Sequence, residues 1–431
     1  EHPATVLIEE SNVHFLDAKH LWGLDTADTQ QKLRELFGKQ YSVACIGPAG
    51  EKLSLISGIV NDGARIAARM GLGAVMGSKN LKAVLASGKI RTKSYNKDDI
   101  VRLNKLVASC VRKQPRLPSG RILRIAGVLM RVLPFQFALD GWFYKLLLRK
   151  WGTVGFNQIA IEMGDAPIKN WKGSYRDFDC SRSRSIDPDQ FLKREEKKYH
   201  CSACPLGCGG LLDSDDPLKA SHKPEYETVM AWSGLLLNDD TESIFIINEL
   251  LNRAGMDSMS SGATVAFAIE CYEKGLLSIA DLDGIKLEWG NSKAIIALLR
   301  KMINRDGIGA TLADGSLTAS KKIGRNSQEF AMHAGGLELA FHDPRYDPGL
   351  ALHAVVEPAP GRHVRRAWQF YEKFKLWNII PALPKPKFLF KKSKKYSSPK
   401  TKAKMAAANS RFTHFLDGCG FCIFGAFIGA N

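Results

Sequence analysis

The sequence predicts an α/β N-terminal portion followed by two mainly α-helical domains. Three observations carry that reading. Up to about residue 90, apolar residues sit in short β-type runs separated by Gly- and Pro-containing turns. Beyond residue 97 they recur at spacings of three and four over long segments with recognisable caps. The chain has 431 residues, enough for two to four sizeable domains at roughly 100–200 residues each. The expected division is 1–97, 98–332 and 333–431.

Residues 5–10 and 13–16 flank a polar Ser11-Asn12 turn, the pattern of a β-hairpin. Residues 26–37 have helical spacing, and residues 41–46 form a short buried strand that runs into Gly47-Pro48-Ala49-Gly50. A strand at 83–86 closes the first portion. Helices are expected over 98–111, 243–254, 263–274, 292–304 and 316–323. Asp240, Asp257 and Ser260 or Ser261 offer N-caps, and Gly275 offers a stop. The stretch that opens at Pro381 is rich in Pro, Lys and Ser and reads as a flexible loop. Both ends cut into β or apolar patterns, so the chain is expected to be a fragment.

A 45% hydrophobic and 24% charged composition is that of a soluble globular protein and excludes a wholly disordered, collagenous or multi-span membrane chain. The formal net charge of +17 is unusual. It resides in two segments: residues 111–150 carry nine basic residues and one acid, and residues 385–404 carry nine lysines and no acid. The remainder is neutral in sum. Residues 122–148 fall short of a spanning helix because Arg124, Arg131, Pro134 and Asp140 interrupt them. On a helical projection Arg121, Arg124 and Arg131 share one face, with Ile, Leu, Val and Met on the other. That is a core-packed helix with a solvated Arg face or, alternatively, a surface-lying basic amphipathic helix.

Nine cysteines, an odd number, with four of them dispersed, argue against a disulfide framework and for a reducing, cytoplasmic setting. Five cluster. Cys201, Cys204 and Cys208 follow a C-x2-C-x3-C spacing among Pro and Gly residues, and Cys419 and Cys422 form a second pair. Two separated pairs would suit zinc. Three close thiolates plus a remote one suit a [4Fe-4S] cluster, with Cys422 or Cys419 as the fourth ligand.

Gly47-Pro48-Ala49-Gly50-Glu51, Asn61-Asp62 and the run from Arg69-Met70-Gly71-Leu72-Gly73 to Ala83 are joined by Glu225-Tyr226-Glu227-Thr228, the Cys201–Cys208 motif, Asn252-Arg-Ala-Gly-Met256-Asp257 and Asp417-Gly-Cys-Gly-Phe-Cys422. Together these segments resemble the tungsten-containing aldehyde:ferredoxin oxidoreductase family, over effectively the whole chain. In that family's pattern the N-terminal portion is a pterin-binding platform, here incomplete, with further segments expected before Glu1 and after Asn431. The resemblance implies a [4Fe-4S] cluster on Cys201, Cys204, Cys208 and Cys422 and a tungsten (or molybdenum) bis-pterin. The pterin would be held by Arg69, Met70, Gly71, Leu72 and Gly73, by Asn252, Met256 and Asp257, and by Asp417 and Ile423. Asn252 stands where the family has Asp, Met70 where it has Gly, and Met256 and Phe421 where it has Leu. Both Asp257 and Asp417 could also serve as helix caps.

The implied chemistry is oxidation of a small aldehyde to a carboxylic acid, with electrons passed to ferredoxin or another acidic carrier. His363, with Glu227 and Tyr226, matches the family's active-site positions and would handle the proton. Within the same family, a benzoyl-CoA-reductase-like low-potential catalytic subunit is the alternative. From another class, a zinc-stabilised nucleic-acid-binding protein would explain charge and cysteines, but the basic stretches flank the metal motifs without containing them, and no nucleic-acid partner is expected. Segments 111–150 and 385–404 look like insertions, suited to a partner subunit, an acidic carrier or peripheral attachment to a membrane surface.

Overall fold

The computed structural model describes residues 2–63, 65–89, 93–112, 119–137, 141–201, 204–212, 222–362, 369–397 and 399–429. The chain groups into two compact units, each built from two stretches: Glu1–Thr92 with Leu211–Glu338, and Lys93–Gly210 with Leu339–Asn431. The α/β start and the helical remainder are as the sequence predicts.

The first unit contains a six-stranded sheet of β1 (Ala4–Glu9), β2 (Asn12–Asp17), β3 (Ser42–Cys45), β4 (Ile59–Asn61), β5 (Arg65–Ala67) and β6 (Leu81–Ser87) in the order β2-β1-β6-β3-β4-β5. Only the β1–β6 pair is parallel, in a register that sets Val6 opposite Val84 and Leu7 opposite Leu85. The predicted hairpin is β1–β2. Alternation buries Leu7, Val43, Cys45, Ala83 and Leu85 on one face, where Leu33 of the Thr26–Phe37 helix and Leu21 cover them. Asp25 caps that helix by accepting from the Asp28 N–H.

The helices of this unit follow their caps. Thr241–Ala254 begins where Asp240 accepts from the N–H groups of Glu242 and Ser243. The next helix, expected from residue 263, starts five residues earlier at Ser258, because Asp257 caps it. Its residues from Met259 to Cys271 are buried on every side, so it lacks the two-faced pattern that marks a helix start by periodicity.

The second unit is helical. Lys97–Arg112, Arg121–Val132, Gly141–Trp151 and Asn157–Met163 precede the cysteine motif, and Pro348–Val356, Gln369–Lys373, Lys400–Gly418 and Ile423–Gly429 come after it. Phe370, Tyr371, Phe374, Leu376, Met405, Leu416 and Phe427 form one core, and Val111, Leu148 and Leu206 a second.

Two expectations are corrected here. The stretch read as a flexible loop contains a short strand, Leu389–Lys391, paired antiparallel with Phe135–Phe137. The Arg face of Arg121–Val132 is also solvated only at Arg121. Arg124 and Arg131 both reach the carboxylate of Glu162 at 3.1 and 2.5 Å, and that carboxylate is only 7% exposed. Gly127 lies between them, where a Cβ would come within 2.9 Å of the Ile159 carbonyl, so the helix approaches Asn157–Met163 through its Arg side. Its aliphatic side faces outward.

Candidate functional site

In the first unit the Ile56–Gly58 stretch is joined by backbone hydrogen bonds to the Asn252–Asp257 segment on one side and to Gly73 of the glycine-rich turn on the other. The Gly58 N–H donates to the Gly255 carbonyl at 2.8 Å and the Asp257 N–H to the Ile56 carbonyl at 2.9 Å, with Ser57 bridged to Met256. Thr26 donates its hydroxyl to the Asn252 carbonyl. Gly47 must be glycine, since a Cβ there would stand 2.5 Å from the Ala254 carbonyl oxygen. Gly73 meets the same limit, 2.7 Å from the Gly58 carbonyl. The motifs separated by almost two hundred residues of sequence are therefore one piece of backbone.

Arg69 emerges from this junction. Its guanidinium lies 3.3 Å from the Asp257 carboxylate and donates to the Glu338 carbonyl at 2.6 Å. Asp257 is 2% exposed and also accepts from the N–H groups of Met259 and Ser260, so the cap expected there is present and is shared with Arg69. Met70 follows with φ of 73°, a conformation that glycine adopts without cost and a long side chain does not. Gly71 (φ 70°) then caps the Leu72–Ser78 helix.

Tyr226 and Glu227 open the Tyr226–Trp232 helix. That helix is fastened beside Asp257: Thr228 shares a hydrogen bond with the Ser258 hydroxyl at 2.8 Å, and the Trp232 indole donates to the Ser258 carbonyl. Tyr226 is buried and Glu227 is half-buried. The preceding Glu225 binds Arg65 at 2.7 Å. Near them, burial and then the Arg65 charge push His222 down to about 4, so it is neutral at pH 7.

In the second unit Cys204 closes a turn onto the Cys201 carbonyl, and the His200 ring meets the Cys204 carbonyl at 3.0 Å. Gly207 (φ 62°) has the His200 ring where a Cβ would be. Cys204, Cys208 and Phe424 of the Ile423–Gly429 helix all pack against the core of Val111, Leu148 and Leu206. Cys422 precedes that helix. Although much of the residue faces solvent, burial raises its thiol above the ordinary range, the N–H groups of Gly425 and Phe424 oppose that rise, and Cys204 and Cys201 add to it. Among the described residues no three ligating side chains already stand in metal-holding geometry.

Asp417 does not cap a helix. It lies in the last turn of Lys400–Gly418, the end where a negative charge is unfavourable, and Arg362 approaches it at 3.7 Å. Ile423 begins the following helix. His363 lies outside the described residues. Sequence reasoning missed Glu338, which is 1% exposed, accepts from the N–H and hydroxyl of Ser316, and supplies the carbonyl that holds Arg69. No motif marks it. It also missed the role of Lys82 and Glu51, both inside the quoted signature, which form a buried pair at 2.5 Å.

The first unit thus holds an α/β sheet with a glycine-rich turn beside an Asp-capped helix, and the second unit holds the cysteine turn. The model of the aldehyde ferredoxin oxidoreductase N-terminal domain matches residues 1–88, and that of domains 2 and 3 of the same protein matches residues 140–430. The chain belongs to the aldehyde ferredoxin oxidoreductase family. It is 29% identical to the tungsten-containing aldehyde ferredoxin oxidoreductase of Pyrococcus furiosus over 100% of its own length and 64% of the relative's. It is 28% identical to the WOR-like subunit of an aliphatic sulfonate oxidoreductase from the same organism, over 80% of this chain and 53% of that one. Among solved structures, the active-site complex BamBC of benzoyl coenzyme A reductase with 1,5-dienoyl-CoA superimposes with a TM-score of 0.74 at 21% identity, covering 98% of this chain and 64% of the other. The chain thus spans under two thirds of the length of these relatives.

Proposed function

We propose that the protein oxidises an aldehyde to a carboxylic acid at a tungsten (or molybdenum) bis-pterin centre and passes the electrons through a [4Fe-4S] cluster to ferredoxin or another acidic carrier. The observation that carries this reading is the Arg69–Asp257 ion pair, which links the Arg69–Gly73 turn to the Asn252–Asp257 segment where Ile56–Gly58 is bonded to both. When bound, the pterin-held metal supplies the two-electron oxidation, and water supplies the oxygen. The residues fit such a group: Asp257 is a buried carboxylate able to accept from ring N–H groups, and Arg69 can fork onto a phosphate beside backbone N–H groups of a glycine turn. Asn252 contributes an amide where the family has a carboxylate, so one of its contacts is neutral.

Glu227, held one residue from the Thr228–Ser258 bond, is the carboxylate that would take a proton as the aldehyde carbon gains oxygen. Tyr226, its neighbour in the chain, is buried, and His363 is the partner the resemblance implies. The overall change is aldehyde plus water to acid, two protons and two electrons. Cys201, Cys204, Cys208 and Cys422 are the cluster ligands in this reading, supported by the C-x2-C-x3-C spacing and the turn that Cys204 closes onto Cys201.

A low-potential reductase acting on an aromatic acyl-CoA is the second reading. Two lysine- and arginine-rich segments would favour an anionic thioester, and the benzoyl coenzyme A reductase complex shares the fold. The test is activity of anaerobically purified protein: aldehyde-dependent reduction of a viologen dye supports the first reading, and reduction of an aromatic acyl-CoA with no aldehyde activity supports the second.

A further inference from the structure

The Arg121–Val132 helix turns Arg124 and Arg131 inward and leaves Ile122, Ile125, Leu129 and Val132 outside, at i, i+3, i+7 and i+10 along one stripe. Ile125 is 58% exposed, Leu129 53% and Val132 70%. The stripe does not end with the helix. Leu133 and Pro134 lead directly into Phe135–Phe137, whose partner strand Leu389–Lys391 is fixed to it. Lys392 ties the two segments together, its N–H donating to the Pro134 carbonyl and its ammonium to the Arg131 carbonyl. Phe137 and Phe388 stack with ring centroids 5.8 Å apart, and Phe388 is still 69% exposed. A helix stripe and a two-stranded ribbon therefore form one continuous apolar surface within a single unit. Soluble proteins rarely leave such a surface bare without a use for it.

The helix and the ribbon carry one sign of charge along their own sequence, with Asp187 and Asp189 beside the helix start at Gly120. Arg121 at the start of the helix and Lys385, Lys387, Lys391 and Lys394 along the ribbon are exposed. Neither residues 119–137 nor residues 385–397 contain an Asp or Glu. An acidic protein would meet the lysines, but aliphatic and aromatic side chains of this size would remain unmatched against a charged face. A bilayer whose headgroups are anionic matches both at once, because side chains enter the acyl boundary while ammonium groups stay at headgroup level.

We propose that this surface, the outward stripe of Arg121–Val132 together with the Phe135–Phe137 and Leu389–Lys391 ribbon, seats the protein on the face of an anionic lipid bilayer without crossing it. No described helix is long and apolar enough to span one. The attachment is independent of the redox reading above.

The experiment is flotation of the whole protein with vesicles of phosphatidylcholine alone or phosphatidylcholine with phosphatidylserine, at low and high salt. Binding is expected only to the phosphatidylserine vesicles, weakening with salt as the charges are screened. Reversing Lys385→Glu, Lys387→Glu and Lys391→Glu together should weaken it on the order of 100-fold or more. The variant Ile125→Asp/Leu129→Asp/Phe388→Asp should abolish it. All these side chains are exposed, so both variants should keep the parent's circular dichroism spectrum and melting temperature. Failure of the parent to float with either vesicle would overturn the proposal, as would equal binding by parent and folded variants. Self-association, or a stable complex with an acidic protein, that the apolar variant disrupts while vesicles go unbound would overturn it in favour of a protein partner.

Discussion

The two units use charge in opposite ways. In Glu1–Thr92 with Leu211–Glu338, charged side chains are drawn into the junctions between loops: Lys82 with Glu51, Arg69 with Asp257, Arg65 with Glu225. In Lys93–Gly210 with Leu339–Asn431, most lysines of residues 385–397 lie on the surface, and the arginines that do turn inward leave their helix's apolar stripe outside. The first arrangement fixes the geometry of the glycine-rich turn. The second leaves a surface to meet something else.

The largest expected effect falls on the first unit. Lys82→Met leaves Glu51 buried without its partner and should cost about 3–5 kcal/mol in urea unfolding. Lys391→Met, a change of the same type on the exposed ribbon, should cost under about 0.5 kcal/mol. Similar losses at both sites would break the contrast.

The units should also differ in the sign of their pH dependence. His222 is pushed down to about 4 from an ordinary 6.5, so between those values the unfolded chain takes up a proton that the folded one refuses. Stability is therefore lost as pH falls through that window, by about 3 kcal/mol in all. His222→Phe should flatten that slope. Glu372, in the second unit, is raised to about 7 from 4.5 by burial, with Lys373 opposing and Asp347 adding. There the folded chain keeps a proton that the unfolded one has lost, so stability falls as pH rises from 4.5 to 7. Glu372→Gln should remove that fall. Unfolding free energies measured across pH for both variants separate the two.

The smallest effect is local. Met70→Gly relieves a left-handed φ at an exposed position and should raise stability by about 1 kcal/mol. No gain would mean that the Met70 side chain repays its backbone.

Legibility follows the range of each interaction. The hairpin, the Thr26–Phe37 helix and the cap at Asp257 are set by neighbours in sequence, and all three were readable. Which face of Arg121–Val132 is buried depends on Glu162, dozens of residues away; a helical projection shows two faces but not which one meets a carboxylate. Glu338 and the Lys82–Glu51 pair were hidden for the same reason. Asp417 misled because the preceding helix runs on through it to Gly418. The motif residues Arg69, Gly73 and Asp257 were legible as a set only through the family resemblance, and the hydrogen bonds that join their loops explain why they occur together.

Iron, zinc and tungsten analysis of anaerobically purified protein, alongside Cys422→Ser, tests the central claim most directly. About four irons per chain, little zinc, and a brown chromophore that Cys422→Ser diminishes together with the iron are expected. Colourless protein holding stoichiometric zinc, or an iron content unchanged by Cys422→Ser, would contradict it.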